Sequence, residues 1–259
     1  MNLYALKPMP ADEYHRRFDS DSHSSLELFR KSIPAYHAQR IAQTARPKPP
    51  TDEMELGTMV HTLVLEPDQF NAHYAAGPDC AKTTKAWRTF CALERRKVLS
   101  QDELRLATSM QAAIQANEFA RNALEAEAIT EETAWAEDPE TGLALKCRPD
   151  RLLTAGICVD LKTTPDISPL GWGRWLRRYN YHCQAALYLD ILEVATGHRF
   201  EWVWITVSKG DYPEAAVHRI NDATLAAGRA ENRRTLNELA ECRRTDDWRG
   251  RYSREIHSV

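Results

Sequence analysis

The sequence predicts an α/β fold, a central mixed sheet flanked by helices, and three observations lead there. Apolar residues recur at helical spacing through the first half, alternate after Ile129, and return to helical spacing from Tyr181 onward. The 259 residues, 43% of them hydrophobic, are enough to bury one sizeable core. No internal repeat or low-complexity tract interrupts the chain, so one domain over 1–259 is expected, with an N-terminal helical region over about residues 1–50.

That polar N-terminal region ends in Arg46-Pro47-Lys48-Pro49-Pro50, a stiff extended connector that cannot be helical throughout. Ahead of it, Ser24-Ser25-Leu26-Glu27-Leu28-Phe29 begins a short serine-capped helix that Pro34 limits. From Glu53 to Leu65, the residues Leu56, Met59, Val60, Leu63 and Val64 form a helical stripe that contains His61 and stops at Glu66-Pro67-Asp68. In the stretch 82–97, six cations accompany the single acid Glu94, with Trp87 and Phe90 interleaved. It reads either as a phosphate-facing surface or as a solvated helix face with inward aromatics, and composition favours the second. Residues Asp102 to Ala128 read as one long helix burying Leu106, Met110, Ala113 and Ile114.

After Ile129, Glu131, Thr133 and Trp135 share one face of a strand, and 138–142 supplies turn chemistry before a second strand, Leu143 to Arg148. A third strand, Ile157 to Lys162, follows a hairpin turn at Thr154-Ala155-Gly156, which makes an antiparallel meander. A helix from Tyr181 to Ala195 stops at Gly197, Phe200 to Val207 is a strand with Trp202 and Trp204 on one face, and Asp222 to Arg244 is a last helix.

Several function classes are disfavoured. Thirty-four basic against thirty-seven acidic residues give a net charge of −3, so nucleic-acid contact would have to come from local patches. Apolar runs fall far short of the roughly 20 residues that span a bilayer. The start, Met1 to Pro10, has no signal or transit pattern, so a cytoplasmic location without membrane association is expected. Six cysteines form no C-x-x-C pair and read as reduced thiols; Cys147, Cys158 and Cys183, though close to the motifs below, read as small buried hydrophobes.

The chemistry concentrates at Asp150 and, nine residues on, Asp160-Leu161-Lys162. Strand alternation puts Asp160 and Lys162 on one face and Val159 and Leu161 on the other. A carboxylate in so apolar a strand is costly unless it binds a cation or a hydrogen-bond donor. A hairpin can bring Asp150 beside it, and a divalent metal is the usual resolution of two adjacent carboxylates. Hard oxygen ligands select Mg²⁺ or Mn²⁺, and such a site with a lysine suits phosphodiester hydrolysis. Taken alone, however, these three residues read better as a surface ion pair and an unrelated turn aspartate, because Asp-x-Lys is frequent by chance.

Other segments change that balance. Pro149-Asp150 with Asp160-Leu161-Lys162 resembles the PD-(D/E)XK nuclease signature. Gln184-Ala185-Ala186-Leu187-Tyr188 is similar to the Q-x-x-x-Y motif of its RecB-like branch, and the segment 57–67 around His61 to that branch's histidine motif. With Glu131-x-Thr133, 138–142, Arg148-Pro149-Asp150, 160–164 and Tyr181-His182-x-Gln184, the chain most resembles the exonuclease VIII (RecE-type) nuclease domain over about residues 20–250.

The resemblance implies a restriction-endonuclease-like core and specific roles. Asp150, Asp160, the Leu161 carbonyl and His61 would hold Mg²⁺, with Mn²⁺ able to substitute, and Lys162 would be the catalytic amine. Gln184 and Tyr188, four apart and so on one helical face, would contact phosphate or orient the metal-bound water. Glu131 would bind metal or its water, although a one-residue slip would exchange it with Glu132. Arg16, Arg17, Ser24 and Ser25 would receive a 5′ phosphate at a helix N-terminus. Arg174, Arg177 and Arg178, among Trp172, Trp175, Tyr179 and Tyr181, suit phosphate contact and base stacking, but buried tryptophans with solvated arginines explain them nearly as well.

The implied activity is a 5′-to-3′ exodeoxyribonuclease acting on double-stranded DNA ends and leaving 3′ overhangs for recombination. A ring-shaped homo-oligomer, a single-strand annealing protein as partner and a phage or prophage setting come with it. The rivals are a nicking or structure-specific endonuclease of the same superfamily and a non-catalytic DNA-binding module on a nuclease scaffold. A CRISPR-associated iron–sulfur nuclease is disfavoured because Cys242 lacks the close C-terminal cysteine companions such a cluster needs.

Overall fold

The structure, a computed structural model, describes residues 6–45 and 49–253; Arg46-Pro47-Lys48 of the expected connector lie outside the described residues. Strand β1 (Lys7–Pro8) leads into helices α1 (Ala11–Arg16), α2 (His23–Lys31) and α3 (Ile33–Tyr36), the last continued by a wide π turn over His37–Ile41. Next come α4 (Asp52–Leu65), α5 (Pro67–His73), β2 (Tyr74–Ala76), α6 (Lys85–Leu93), β3 (Lys97–Leu99), α7 (Gln101–Ala116) and α8 (Glu118–Glu125). The strand-rich part holds β4 (Ala128–Thr130), β5 (Glu132–Glu137), β6 (Ala144–Cys147), β7 (Arg151–Leu153) and β8 (Ile157–Thr164). Helices α9 (Pro169–Arg178) and α10 (Tyr181–Thr196), strands β9 (Glu201–Ser208) and β10 (Ala215–Arg219), and helix α11 (Asp222–Thr245) complete the fold, followed by a 3₁₀ turn at Arg251–Ser253.

The expected mixed sheet is present: five strands in the order β10-β9-β8-β7-β4, antiparallel except for the parallel pair β8–β9, which α9 and α10 connect. The meander, in contrast, is divided between two sheets. Strand β5 pairs with β6 on one side and β1 on the other, while β4 and β7 join the five-stranded sheet. Both crossing points are breaks in the extended backbone. Glu131 sits between β4 and β5 at φ 56°, and Pro149, which has no N–H to give a ladder, sits between β6 and β7.

Alternation along β8 separates two cores. Cys158 packs with Trp202, Trp204 and the buried side of α10, against which α11 and α2 lie. Val159 and Leu161 pack with Ile205 and Val207 against α4 and α7. Asp160 and Lys162 therefore lie on the Cys158 face, as strand alternation predicts. At Gly228 of α11 an added Cβ would lie 2.3 Å from the His182 carbonyl oxygen, so α10 and α11 approach more closely than any side chain there would permit.

The helix expected over 102–128 is two helices. Asn117 leaves helical geometry at ψ 114° and accepts the Ala120 N–H, capping α8, while its amide donates to the Ala215 carbonyl of β10. Near α6, Lys82 pairs with Glu103, Arg96 with Glu94 and Lys97 with Glu55, while Trp87 is buried, which is the solvated-face reading of that basic stretch.

Candidate active site

Three separate elements bring one imidazole and two carboxylates together beside β8. His61, on α4, places Nε2 at 3.1 Å from Asp150 Oδ2 and 3.2 Å from Glu131 Oε1. Asp150 stands at the start of β7, where the β7–β8 hairpin lets its Oδ2 accept the Leu161 N–H at 2.7 Å. Leu161 thus enters the site through its amide. Asp160, in mid-strand and 1% exposed, has Oδ2 at 2.5 Å from the Lys162 ammonium and accepts a hydrogen bond on Oδ1 from the Gln184 amide at 3.0 Å.

Glu131 reaches the site by a route different from the expected one. It does not share a strand face with Thr133 and Trp135, because its left-handed backbone interrupts the strand. That conformation is uncommon for a side chain of this kind and costs on the order of 1–3 kcal/mol. Hydrogen bonds hold it: its N–H donates to the carbonyls of Pro149 and Asp150 at 3.2 and 3.3 Å, and its own carbonyl accepts Arg148 Nε at 2.9 Å. Arg148 Nε also lies 2.8 Å from Glu131 Oε2. Glu132 instead opposes Pro8 in the sheet, so it is Glu131 that faces His61.

Three carboxylates and three basic groups share this buried site, and burial and mutual charge shift most of them. Burial pushes the Asp160 carboxyl up to about 6, with the Asp150 charge adding to the rise and Lys162 opposing it. Burial, then Asp150, lifts Glu131 to about 7 against His61 and Arg148. Asp150 is held below its ordinary range: burial works against this, but His61, Lys162 and the Leu161 N–H outweigh it. Burial alone would lower the His61 imidazole, yet the Asp150 and Glu131 carboxylates raise it to about 9. Lys162, next to Asp160 and Asp150, is held firmly cationic despite its burial. One imidazole nitrogen with the converging carboxylates of Glu131 and Asp150, and Asp160 beside them, is a hard donor set, and a divalent cation that prefers oxygen and nitrogen fits it.

Around this centre, Gln184 and Tyr188 share one face of α10, but they differ in placement. Gln184 touches Asp160, whereas Tyr188 is buried behind the carboxylates, edge-on to Trp202. Tyr181 presents its ring to Lys162 Nζ at 5.2 Å. A second group of candidate ligands, His182, Cys183 and Glu231, lies between α10 and α11. There, burial raises the Cys183 thiol to about 12, and Glu231 accepts from it at 3.4 Å.

The residues expected to meet DNA fall into two groups. Arg174, Arg177 and Arg178 are exposed on α9. Arg17 pairs with Asp19 at 3.1 Å and lies over Trp135, and Arg16 pairs with Asp12. Ser25 is buried, accepts the Ser22 N–H at 2.8 Å and donates to Asp21, so its hydroxyl is engaged in building the α2 N-terminus while the residue lines the cavity beside it. Beside that N-terminus is a cavity of about 240 Å³ whose lining includes Tyr14, Ser22, Ser24, Arg40 and Lys146. Arg40 and Lys146 were not found in the sequence. The one visible signal was a lysine between the apolar residues Leu145 and Cys147. Lys146 is 1% exposed and donates to the Tyr14 and Arg17 carbonyls; Arg40 is 7% exposed with no partner on Nε.

Comparison with known proteins agrees with this architecture. No curated protein matches the sequence. Among solved structures, a Eubacterium rectale protein described as a putative exonuclease superposes with a TM-score of 0.65 at 16% identity, covering 91% of this chain and 87% of its own. That likeness speaks to the fold. The crystal structure of SSO0001 covers 82% of this chain and 84% of its own at 14% identity, with a TM-score of 0.29 that carries no structural argument. In sequence, residues 22–256 match the family described as "PDDEXK-like domain of unknown function (DUF3799)". With a mixed sheet that holds Asp150, Asp160 and Lys162 together at its centre, this chain belongs to that PDDEXK-like family, within the PD-(D/E)XK nuclease superfamily.

Proposed function

We propose that this protein is a Mg²⁺-dependent exodeoxyribonuclease that degrades one strand of linear double-stranded DNA from the 5′ end and leaves a 3′ single strand for recombination. The observation that carries the nuclease reading is the convergence of His61, Glu131 and Asp150 beside the Asp160–Lys162 pair. His61, Asp150, Asp160 and the Leu161 carbonyl, with Glu131, would hold Mg²⁺ or Mn²⁺. Such a cation, when bound, polarises the scissile phosphate and lowers the pKa of a water.

The chain's own residues do the rest. Lys162, kept cationic by two carboxylates, offsets charge developing on the phosphate and positions the attacking water. Gln184 donates to Asp160 Oδ1, fixing that carboxylate's orientation and leaving Oδ2 toward Lys162. Arg148 and the left-handed backbone of Glu131 aim a further carboxylate at the same point. The end-directed part of the reading draws on the cavity beside α2, where two buried cations and a helix N-terminus suit a terminal phosphate. Cleavage polarity, a ring-shaped homo-oligomer and an annealing-protein partner follow from the resemblance to the RecE-type domain.

Purified protein incubated with 5′-phosphorylated linear duplex, Mg²⁺ or EDTA, and a covalently closed circle tests the reading. Digestion of the linear duplex alone, only with metal, and with a surviving 3′ overhang is expected. Nicking of the circle would instead make the protein an endonuclease of the same superfamily, and binding without cleavage would leave a nuclease scaffold without activity.

A further inference from the structure

Helix α9 and the start of α10 carry aromatic rings that lie nearly parallel. Trp175 and Tyr179 stack at 5.2 Å and 5°, Tyr179 and Tyr181 at 5.7 Å and 27°, and Tyr181 and Trp172 at 5.6 Å and 18°. The inner end is anchored, because Trp172 is 3% exposed and packs edge-on to Trp204 of the core sheet. Trp175 at the other end is half-buried, Tyr179 is the most exposed ring of the row at 41%, and Arg174, Arg177 and Arg178 are exposed on the preceding helix.

A ladder that served only to fill the core would be buried along its length and would not carry cations on its outer rings. Here the Arg178 guanidinium lies over both Trp175 and Tyr179, 5.4 and 5.9 Å from their centroids, so the exposed steps are already paired with positive charge. Asp166 stands beside Arg174 and takes up part of its charge; Arg177 and Arg178 extend beyond it along the helix. The ladder also has a direction. Its Tyr181 step meets Lys162 Nζ at 5.2 Å, so the row of rings leads from solvent to the amine of the candidate cleavage centre.

We infer that Trp175, Tyr179 and Tyr181, with Arg177 and Arg178, form a stacking track for the unpaired bases of a single-stranded DNA segment next to the cleavage centre. The rings cover one another's inner faces, so an unpaired base stacks where the Arg178 guanidinium now lies over Trp175 and Tyr179, and the displaced arginine with Arg177 takes the backbone charge, which is the chemistry of sequence-independent single-strand binding. A base pair in a duplex presents no free face to such a ladder. The track therefore discriminates unpaired from paired DNA, and Tyr179 is its accessible step. The inference deepens the nuclease reading and rests on it for the strand's destination, but the binding itself needs no cleavage.

The test is fluorescence anisotropy in EDTA, where no metal-dependent cleavage takes place. The probes are a 3′-fluorescein oligothymidine of roughly twelve nucleotides and a blunt hairpin duplex carrying the same dye. Tyr179→Ala and Tyr179→Leu should each weaken oligothymidine binding by at least about fivefold, the low end of one base stack. Tyr179→Phe should bind like the wild type, and hairpin binding should change less than twofold in all three. Leu retains apolar bulk without a ring, so a loss common to Ala and Leu and absent in Phe marks stacking rather than damage to the fold. Unchanged oligothymidine affinity in Tyr179→Ala, or equal losses on hairpin and single strand, would overturn the track. Either outcome can be read whether or not the wild type proves to be a nuclease.

Discussion

Two clusters of histidine and acid lie within about one strand and one helix of each other in this molecule, and their surroundings set them apart. In the first, His61 faces Asp150 and Glu131, and Asp160 adds a third carboxylate nearby. In the second, between α10 and α11, His182 and Cys183 both turn toward the single carboxylate of Glu231, with Arg30 close by. In the first cluster burial, with the Asp150 charge adding to it, pushes Asp160 and Glu131 up, and the Asp150 and Glu131 carboxylates raise His61 against its own burial. In the second the thiol stays protonated, and Glu231 is held low, against partial burial, by bonds from Cys183 and His182. Proximity of potential ligands is common to both, but the first converges two carboxylates on its histidine, whereas the second offers one carboxylate and a thiol that burial keeps protonated.

The largest effect expected from this contrast is on cleavage. Asp160→Ala and Lys162→Ala should each reduce single-turnover digestion of linear duplex by roughly 10²–10³-fold or more, the scale of removing a transition-state partner. Cys183→Ala and Glu231→Gln should stay within about threefold of the wild type. Loss of activity in Glu231→Gln comparable to that in Asp160→Ala would break the distinction.

Next comes the metal itself. By calorimetry with Mn²⁺, His61→Ala should weaken binding by about 10–100-fold, whereas His182→Ala should leave it unchanged. The wild-type affinity should also depend on pH, because the cation needs a neutral His61 nitrogen and that imidazole is raised to about 9 in the metal-free protein. Below that value, binding releases a proton and tightens by up to about tenfold per pH unit, levelling off above it. Titrations in two buffers of different ionisation enthalpy measure the proton directly, and a pH-independent affinity between pH 6.5 and 9 would contradict the placement of His61.

The smallest effect is on stability without metal. His61 has a folded-state value above its ordinary 6.5, so the stabilisation from its pairing with Asp150 and Glu131 is complete below about 6.5 and is lost as pH rises through about 9. Thermal melts in EDTA should show this decline for the wild type and a weaker one for His61→Gln, while Glu231→Gln should keep the wild-type slope.

How much of this was legible in the chain depended on whether the physics was local. Asp160 and Lys162 could be placed together from alternation alone, and Asp150 from a hairpin of the right length, since neither needs distant contacts. Helices α4, α10 and α11 were legible from their stripes and from Gly197, which takes the left-handed cap at φ 72°. Glu131 reaches His61 not from a strand face, as its alternation with Thr133 suggests, but through a backbone break that hydrogen bonds with the Arg148–Asp150 segment hold, and nothing in its own neighbourhood announces this. The division of α7 from α8 had one local sign, Asn117, a residue that favours caps over helix interiors, but the apolar stripe running through 102–128 outweighs it. Arg40 and Lys146 could not be paired at all, since about a hundred residues separate them and only the packing of the N-terminal helices on β6 brings them to one cavity.

The most direct measurement is anomalous diffraction from crystals soaked in Mn²⁺. The account predicts a peak bounded by His61 Nε2 and the carboxylates of Glu131 and Asp150, with Asp160 at its edge, and none beside Cys183. A peak between His182, Cys183 and Glu231 instead, or no peak near Asp150 at saturating Mn²⁺, would contradict it.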